Sequence, residues 1–458
     1  MKNEVIKVHF LGASRTVTGS KFLIETSQKN ILIDCGMFQG LKELREKNWE
    51  DIPFNVSSID HVLLTHGHLD HTGYLPRLVQ QGFIGSIEGT SPTLAIAKII
   101  LKDSGKIHEE DAKRANKEGY SKHEPALPFY TIKEAEQTIR FFNNREKNVW
   151  HQLAKDIKYR LRYNGHIIGS TFIELDLFGK IFVFSGDIGR QNDLLLAPPL
   201  RPKWADYLFL ESTYGNKLHP KENIEDKIVA LVNTTLKNRG TLIIPSFAVE
   251  RLQSLMYLLW QLYKKNKIPN IPVFVDSPMG NNVLSVFEQY SNWHKLPPNE
   301  FAAMSRWANI ITSYKETWET IDNPQPKIVI AGSGMVTGGR VLTYLQQLIN
   351  EDSTNILLVG YQAEGTRGRQ LLEGAHEIKF YGKYYPVNAQ VHQIESLSAH
   401  ADQKEILEWM DGIKNVIENV FLIHGEPSSI NSLRVKIQDI YRCKVTVPKL
   451  YEVIKIYL

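Results

Sequence analysis

Cysteine is nearly absent: among 458 residues only Cys35 and Cys443 occur, and they form no paired motif. A disulfide framework and a thiolate zinc finger are thereby excluded, and any metal must be held by nitrogen and oxygen. Long apolar runs are missing too, since LAIAKIIL and LMYLLW fall far short of the roughly 20 residues needed to cross a bilayer. The N-terminal stretch MKNEVIKVHFLG sets charges among alternating apolar residues and lacks the continuous apolar core of a signal peptide. A soluble, cytoplasmic protein is expected. Charge of one sign is also scarce: a formal net charge of +4 is too slight at this length to demand a polyanionic partner, though it permits one. No low-complexity tract, internal repeat or Pro/Gly/Ser linker interrupts the chain. With 42% hydrophobic and 23% charged residues, the balance is that of an ordinary globular protein, long enough for two or more compact units.

What is present first is a rhythm. The segments KVHFLGA, SKFLIET and NILIDCG read as short strands separated by turn-prone residues. Helical spacing follows HVLLTH, with two longer helical stretches between Ser91 and Asn144; strands resume in IKYRLRYNG, TFIELDLF, KIFVFSGDIG and DYLFLES. From about residue 215 the rhythm changes to strands alternating with helices: Ile224, Ile228, Leu231 and Val232 at helical spacing, the strand TLIIPSF, the helix LQSLMYLLWQLYKK, the strand IPVFVDS. Such alternation argues for a parallel sheet with crossover helices. Strands return in KFYGKYYPVNAQVHQIESLS, then a helix in EILEWMDGI, the strand FLIHGE, another helix and a terminal strand near KVTV.

Chemistry concentrates in LLTHGHLDHTG, where His66, His68, Asp70 and His71 crowd into a tight loop directly after an apolar strand. On an extended backbone residues i and i+2 point the same way, so His66 and His68 can converge on one ion. As the chain turns into a helix, Asp70 and His71 can face a second ion about 3.5–4 Å away, as in two-metal hydrolytic sites. Four ligands cannot complete two coordination spheres. Three residues at the mouths of buried strands can supply the rest: His166 in YNGHIIGS, Asp187 in FSGDIGR, able to bridge, and His424 in FLIHGE.

With these residues in view, the chain closely resembles the β-CASP branch of nucleases in the metallo-β-lactamase superfamily, over essentially its whole length. Asp34 in LIDCGMFQG matches the first motif, His66, His68, Asp70 and His71 the second, His166 the third and Asp187 the fourth. Glu211 in LESTYGN, His400 in SLSAHAD and His424 match the three motifs that the branch adds. The resemblance implies an α/β protein: an αββα metallo-β-lactamase fold with an inserted parallel α/β β-CASP domain. The expected segments are 1–210 and 386–458 for the former and 211–385 for the latter. It further implies two zinc ions, one on His66, His68 and His166, the other on Asp70, His71 and His424, with Asp187 between them. Asp34 would orient a ligand histidine through its other ring nitrogen. Within the branch the chain is similar to the compact ribonucleases related to the cleavage subunit of the mRNA 3′-end machinery.

Metal ions sharing a water lower its pKa and provide a bridging hydroxide as nucleophile. His400 is then the candidate general acid for the departing 3′ oxygen, with Glu211 orienting it in the family pattern; by itself His400 reads rather as a polar residue ahead of the helix EILEWM. The glycine-rich loop in IVIAGSGMVTGG is neither a P-loop nor a dinucleotide fingerprint. It can offer backbone N–H groups at a helix N-terminus, and by resemblance Ser333 and Gly334 grip the phosphate next to the scissile bond; a structural turn serves as well. Arg367, Arg369 and Arg251 are further phosphate candidates with less support, and Glu250 stands where the resemblance leads one to expect glycine. His9, His61, His151 and His376 match no motif and read as packing or surface residues. The expected substrate is single-stranded RNA, since histidine at the last motif accompanies RNA enzymes in this branch. A DNA nuclease, a small-molecule hydrolase and a non-catalytic RNA-binding scaffold stand as alternatives. The sequence leaves open endonuclease against 5′-3′ exonuclease action, manganese or iron in place of zinc, and a homodimer.

Overall fold

A computed structural model describes residues 4–119, 121 and 123–458. The chain forms two compact units, one of Met1–Asp193, Ala197–Leu218 and His400–Leu458, the other of Leu194–Leu196 and His219–Ala399.

In the first unit, short alternating strands build two seven-stranded sheets. One runs in the order Val453–Tyr457, Val5–Phe10, Phe22–Glu25, Asn30–Ile33, His61–Leu63, Ser86–Gly89, Phe142–Asn144. The other runs Lys444–Thr446, Asn419–Ile423, Tyr207–Glu211, Lys180–Phe184, Thr171–Leu177, Ile157–Tyr163, Trp150–Ala154. IKYRLRY shows why they face each other: Ile157, Tyr159, Leu161 and Tyr163 are buried while the residues between them are half-exposed, the period-two signature of one apolar face. Phe10, Phe22, Phe184, Phe209 and Phe421 fill the space between the sheets. Phe209 stacks on Phe184 at 4.2 Å and on Phe421 at 4.7 Å. Each such ring contributes about 1.5–3 kcal/mol by leaving water. Leu75, Leu78, Leu94 and Leu101 cover the outside of the first sheet, and Ile406, Trp409, Ile430 and Leu433 that of the second. The layering is thus αββα.

Two readings of this unit are corrected. Helical spacing was expected through to Asn144, but the helix Ile132–Ile139 ends first and Phe142–Asn144 is a strand parallel to Ser86–Gly89; sheet pairing overrides the local pattern. The strand at KVTV exists, as Lys444–Thr446, but the chain continues into Val453–Tyr457, which pairs antiparallel with Val5–Phe10. Only Ile456 of that edge strand is buried, so it carries little apolar periodicity.

The second unit is built on a wholly parallel six-stranded sheet ordered Asn309–Ile310, Val273–Asp276, Lys327–Ala331, Thr241–Pro245, Asn355–Val359, Gln390–Ile394. TLIIP, KIVIA and NILLV are buried at every position, as central parallel strands covered on both faces must be. The glycine-rich loop departs from expectation. The helix after KIVIA starts only at Val341, so Ser333 and Gly334 lie at the strand's end and not at a helix N-terminus. Val336 at φ +57° and Gly339 at φ +71° place left-handed turns between, which a helix cannot contain.

Candidate metal centre

In the first unit, parallel strands end side by side and their carboxyl ends carry the polar residues. Asp34 follows Ile33, His66 comes three residues after Leu63 on the paired neighbour, Asp187 comes three after Phe184, Glu211 closes its strand, and His424 follows Ile423, the register partner of Glu211. His68 caps the short helix Leu69–Thr72, whose single turn carries Asp70 and His71. Gly36 lets the Asp34 loop reach that helix, since a Cβ there would sit 1.5 Å from the Asp70 carbonyl oxygen. Asp34 at φ +55° and His424 at φ +49° hold left-handed backbone, a strained state that persists where the surroundings impose it.

Two groups of donor atoms result. His68 Nδ1 lies 3.1 Å from His66 Nε2 and 3.2 Å from His166 Nε2, and Asp187 Oδ2 lies 3.5 Å from both Nε2 atoms. In the second group His424 Nε2 is 3.4 Å from His71 Nε2 and 3.3 Å from Asp70 Oδ2, with Asp187 Oδ1 3.4 Å from His71 Nε2. Ligand atoms about 2.0–2.1 Å from a tetrahedral zinc lie about 3.3–3.4 Å from one another, so these separations are those of a coordination shell. Asp187 Oδ1 is moreover buried without a hydrogen-bond partner, a costly state for a carboxylate oxygen unless a cation faces it. The donor set fits a metal.

The electrostatics divide the ligand histidines: burial would lower His71, yet Asp187, Asp34 and Asp70 lift it well above its ordinary value, so a cation bound there displaces a proton. Burial, then the neighbouring His71, holds His66 well below its ordinary value, and burial brings His68 down to about 4, so both rings offer bare nitrogen at neutral pH. Burial would raise Asp187, yet the surrounding His424, His71 and His66 keep it well below the carboxylate range.

Around the donors sits a set of orienting groups. Asp34 Oδ2 lies 2.7 Å from His71 Nδ1, and its two oxygens accept from the backbone N–H and hydroxyl of Thr65, each at 2.8 Å. Thr65 Oγ1 is also 3.1 Å from His66 Nδ1, and Thr213 Oγ1 is 3.2 Å from His424 Nδ1. Neither threonine was read from the sequence; only the adjacency of Thr65 to His66 hinted at one of them. His400 places Nδ1 3.4 Å from Glu211 Oε1 and Nε2 3.9 Å from Asp187 Oδ2. Glu211 is itself fixed by the backbone N–H groups of Ile188 at 2.6 Å and Thr213 at 3.3 Å.

These distances therefore bring together Asp34, His66, His68, Asp70, His71, His166, Asp187, Glu211, His400 and His424. Against this geometry, the chain matches the Metallo-beta-lactamase superfamily over residues 16–231, the Beta-Casp domain over 252–371 and the Zn-dependent metallo-hydrolase RNA specificity domain over 384–448. It is 32% identical to Ribonuclease TTHA0252 of Thermus thermophilus, over 92% of this chain and 94% of that protein. The chain belongs to the β-CASP family of the metallo-β-lactamase superfamily.

A second β-CASP relative, the transcription termination factor FttA of Methanocaldococcus jannaschii, is 29% identical over 98% of this chain and 72% of that protein. The crystal structure of a protein of unknown function from Enterococcus faecalis V583 is similar in fold, with a TM-score of 0.55 at 12% identity over 99% of this chain and 100% of that one. As a β-CASP member the protein is a metal-dependent hydrolase of a nuclease branch. Among the described residues no helix is long and apolar enough to cross a membrane.

The remaining β-CASP candidates lie in the second unit. Ser333 Oγ accepts from the N–H of Thr337 at 3.1 Å and of Gly338 at 3.3 Å, and the Gly334 carbonyl accepts from Gln362 at 3.2 Å. Arg367 is engaged with backbone, donating to the carbonyls of Lys379 at 2.7 Å and of Val336 and Thr337 at 3.3 Å, while Arg369 pairs with Glu373 at 2.6 Å. Arg251 is buried. Of the histidines outside the motifs, His61 pairs with buried Glu88 at 2.9 Å and His9 with Glu25 at 3.1 Å.

Proposed function

We propose that the protein is a zinc-dependent ribonuclease that hydrolyses phosphodiester bonds of single-stranded RNA. The observation that carries this reading is the two donor groups, His66–His68–His166 and Asp70–His71–His424, with Asp187 3.5 Å from His66 Nε2 in one and 3.4 Å from His71 Nε2 in the other and the His400–Glu211 pair beside it. A matched RNA specificity domain and relatives named as a ribonuclease and as termination factors support RNA as the polymer. His66, His68 and His166 would hold one zinc and Asp70, His71 and His424 the other, and Asp187, which has an oxygen beside each group, would be a ligand to them. When bound, the ions supply Lewis acidity for the phosphoryl oxygens and a water acidified to near neutrality as the nucleophile. Asp34 keeps the proton on His71 Nδ1 and thereby turns Nε2 to its task. His400 donates a proton from Nε2 to the departing 3′ oxygen, and Glu211 holds Nδ1 so that this nitrogen is aimed inward. The products carry 5′ phosphate and 3′ hydroxyl ends. Ser333 and Gly334 bind a backbone phosphate of the same strand.

The test gives zinc-loaded protein matched single-stranded RNA and DNA, each labelled at the 5′ end, and resolves the products by size over time. RNA cut to fragments of intermediate length marks an endonuclease, and immediate release of labelled mononucleotide a 5′-3′ exonuclease. Equal cutting of DNA, or cutting of neither, overturns the RNA assignment.

A further inference from the structure

We infer that Phe247 is a base-stacking platform, receiving on its ring face the nucleobase of the nucleotide whose phosphate the Ser333–Gly334 loop binds. The inference rests on the ribonuclease reading above and adds a subsite to it.

It starts from the topology of the parallel sheet. Thr241–Pro245 leaves through the helix Arg251–Lys264 towards Val273–Asp276 on one side, while its paired neighbour Lys327–Ala331 leaves through Val341–Leu348 towards Asn355–Val359 on the other. Parallel crossovers are right-handed, so oppositely directed connections lie on opposite faces of the sheet. The carboxyl ends of these two strands therefore form a topological switch point, the place where open parallel sheets bind ligands. Phe247 follows one strand and Gly332–Gly334 the other.

Local packing brings the two together. The Ser246 N–H donates to the Ala331 carbonyl at 2.9 Å. Gly334 lies against the phenyl ring, where a Cβ would come within 2.5 Å of Phe247 Cδ2, so any side chain at this position would displace the ring or the loop. The Phe247 carbonyl accepts from Ser246 Oγ at 3.0 Å and from the Leu252 N–H at 3.2 Å, which fixes the backbone that carries the ring. Yet Phe247 is 37% exposed, while Ser246, Val249, Glu250, Arg251 and Leu252 around it are buried. A large apolar ring on a hydrogen-bonded backbone is thus left partly exposed at the switch point, against the candidate phosphate loop. A base has a π face whatever its identity, so such a ring gives sequence-tolerant affinity for a single strand, and a preformed ring loses little entropy on contact.

The experiment measures kcat/KM of the metal-loaded protein on a set of single-stranded RNAs of one sequence, each with a different nucleotide made abasic. On the wild type, one abasic position costs about 10-fold. Phe247→Leu keeps apolar volume against Gly334 but has no π face; it loses a similar factor on the complete RNA and nothing further at that position, and Phe247→Trp restores both. A leucine variant as active as the wild type overturns the platform, as does one that loses the same factor on every RNA including the critical one. Wild type that cuts no RNA overturns the ribonuclease reading, and the platform with it; wild type that cuts RNA while the leucine variant matches it overturns the platform alone.

Discussion

A histidine can give a metal only one ring nitrogen, and what its other nitrogen touches decides which. Here that decision is made by short side chains: Asp34 on His71, Thr65 on His66, Thr213 on His424. Asp34→Asn leaves the packing in place but replaces a charged acceptor that also takes two bonds from Thr65. Zinc affinity measured against a competing chelator is expected to fall about 10–100-fold; unchanged affinity would sink the orienting role. His400 has its own orienting partner. Burial pulls its pKa down, but Glu211 and Asp187 outweigh burial and lift it to about 9. A general acid must carry its proton and the nucleophilic water must lose one, so cleavage is expected to rise towards neutrality and to fall again at alkaline pH as His400 deprotonates. Glu211→Gln should bring the falling limb down by about one unit, and His400→Ala should lower the rate about 10²–10⁴-fold with zinc content unchanged. A full rate in His400→Ala with zinc bound would remove the residue from the mechanism. At this scale the donors were legible because H-x-H-x-D-H is local and His166, Asp187 and His424 each follow an apolar run. The threonines were not, because a hydroxyl's partner is set by the fold.

At the scale of elements, polar residues collect where parallel strands end, and the strand-to-helix turns carry unusual backbone. Glu250 is the clearest case: it precedes the helix Arg251–Lys264 at φ +67° and ψ −54°, with its carboxylate accepting from Ser254 at 3.0 Å. Glycine adopts this conformation freely and other residues do so at a cost. Glu250→Gly and Glu250→Ala both lose the bond to Ser254, but only the first relieves the backbone. The glycine variant is expected to be the more stable by about 1 kcal/mol or more in thermal unfolding; an alanine variant equally stable would show that no strain is held there. Strands with strict alternation or continuous apolar runs, such as IKYRLRY and TLIIP, were legible. Edge strands such as Val453–Tyr457 were not, because half of their signal lies in the neighbour they pair with.

For the whole molecule, a change of rhythm near residue 215 announced a parallel unit set within a sandwich. The unit of the parallel sheet runs over His219–Ala399 and so includes the strand Gln390–Ile394, beyond the end expected at 385, and His400–Leu458 packs in the unit that Met1–Asp193 begins. That return brings His400 to Glu211, 189 positions back, and His424 to Asp70, 354 positions back, His424 Nε2 lying 3.3 Å from Asp70 Oδ2. The central claim is that this long-range closure builds a centre for two ions that cuts RNA. It is tested most directly by titrating zinc into metal-stripped protein while following the initial rate of cleavage of a labelled single-stranded RNA. The account predicts no cleavage without metal and a rate that saturates at two zinc ions per chain. Cleavage by the stripped protein, or saturation at a single ion, would contradict it.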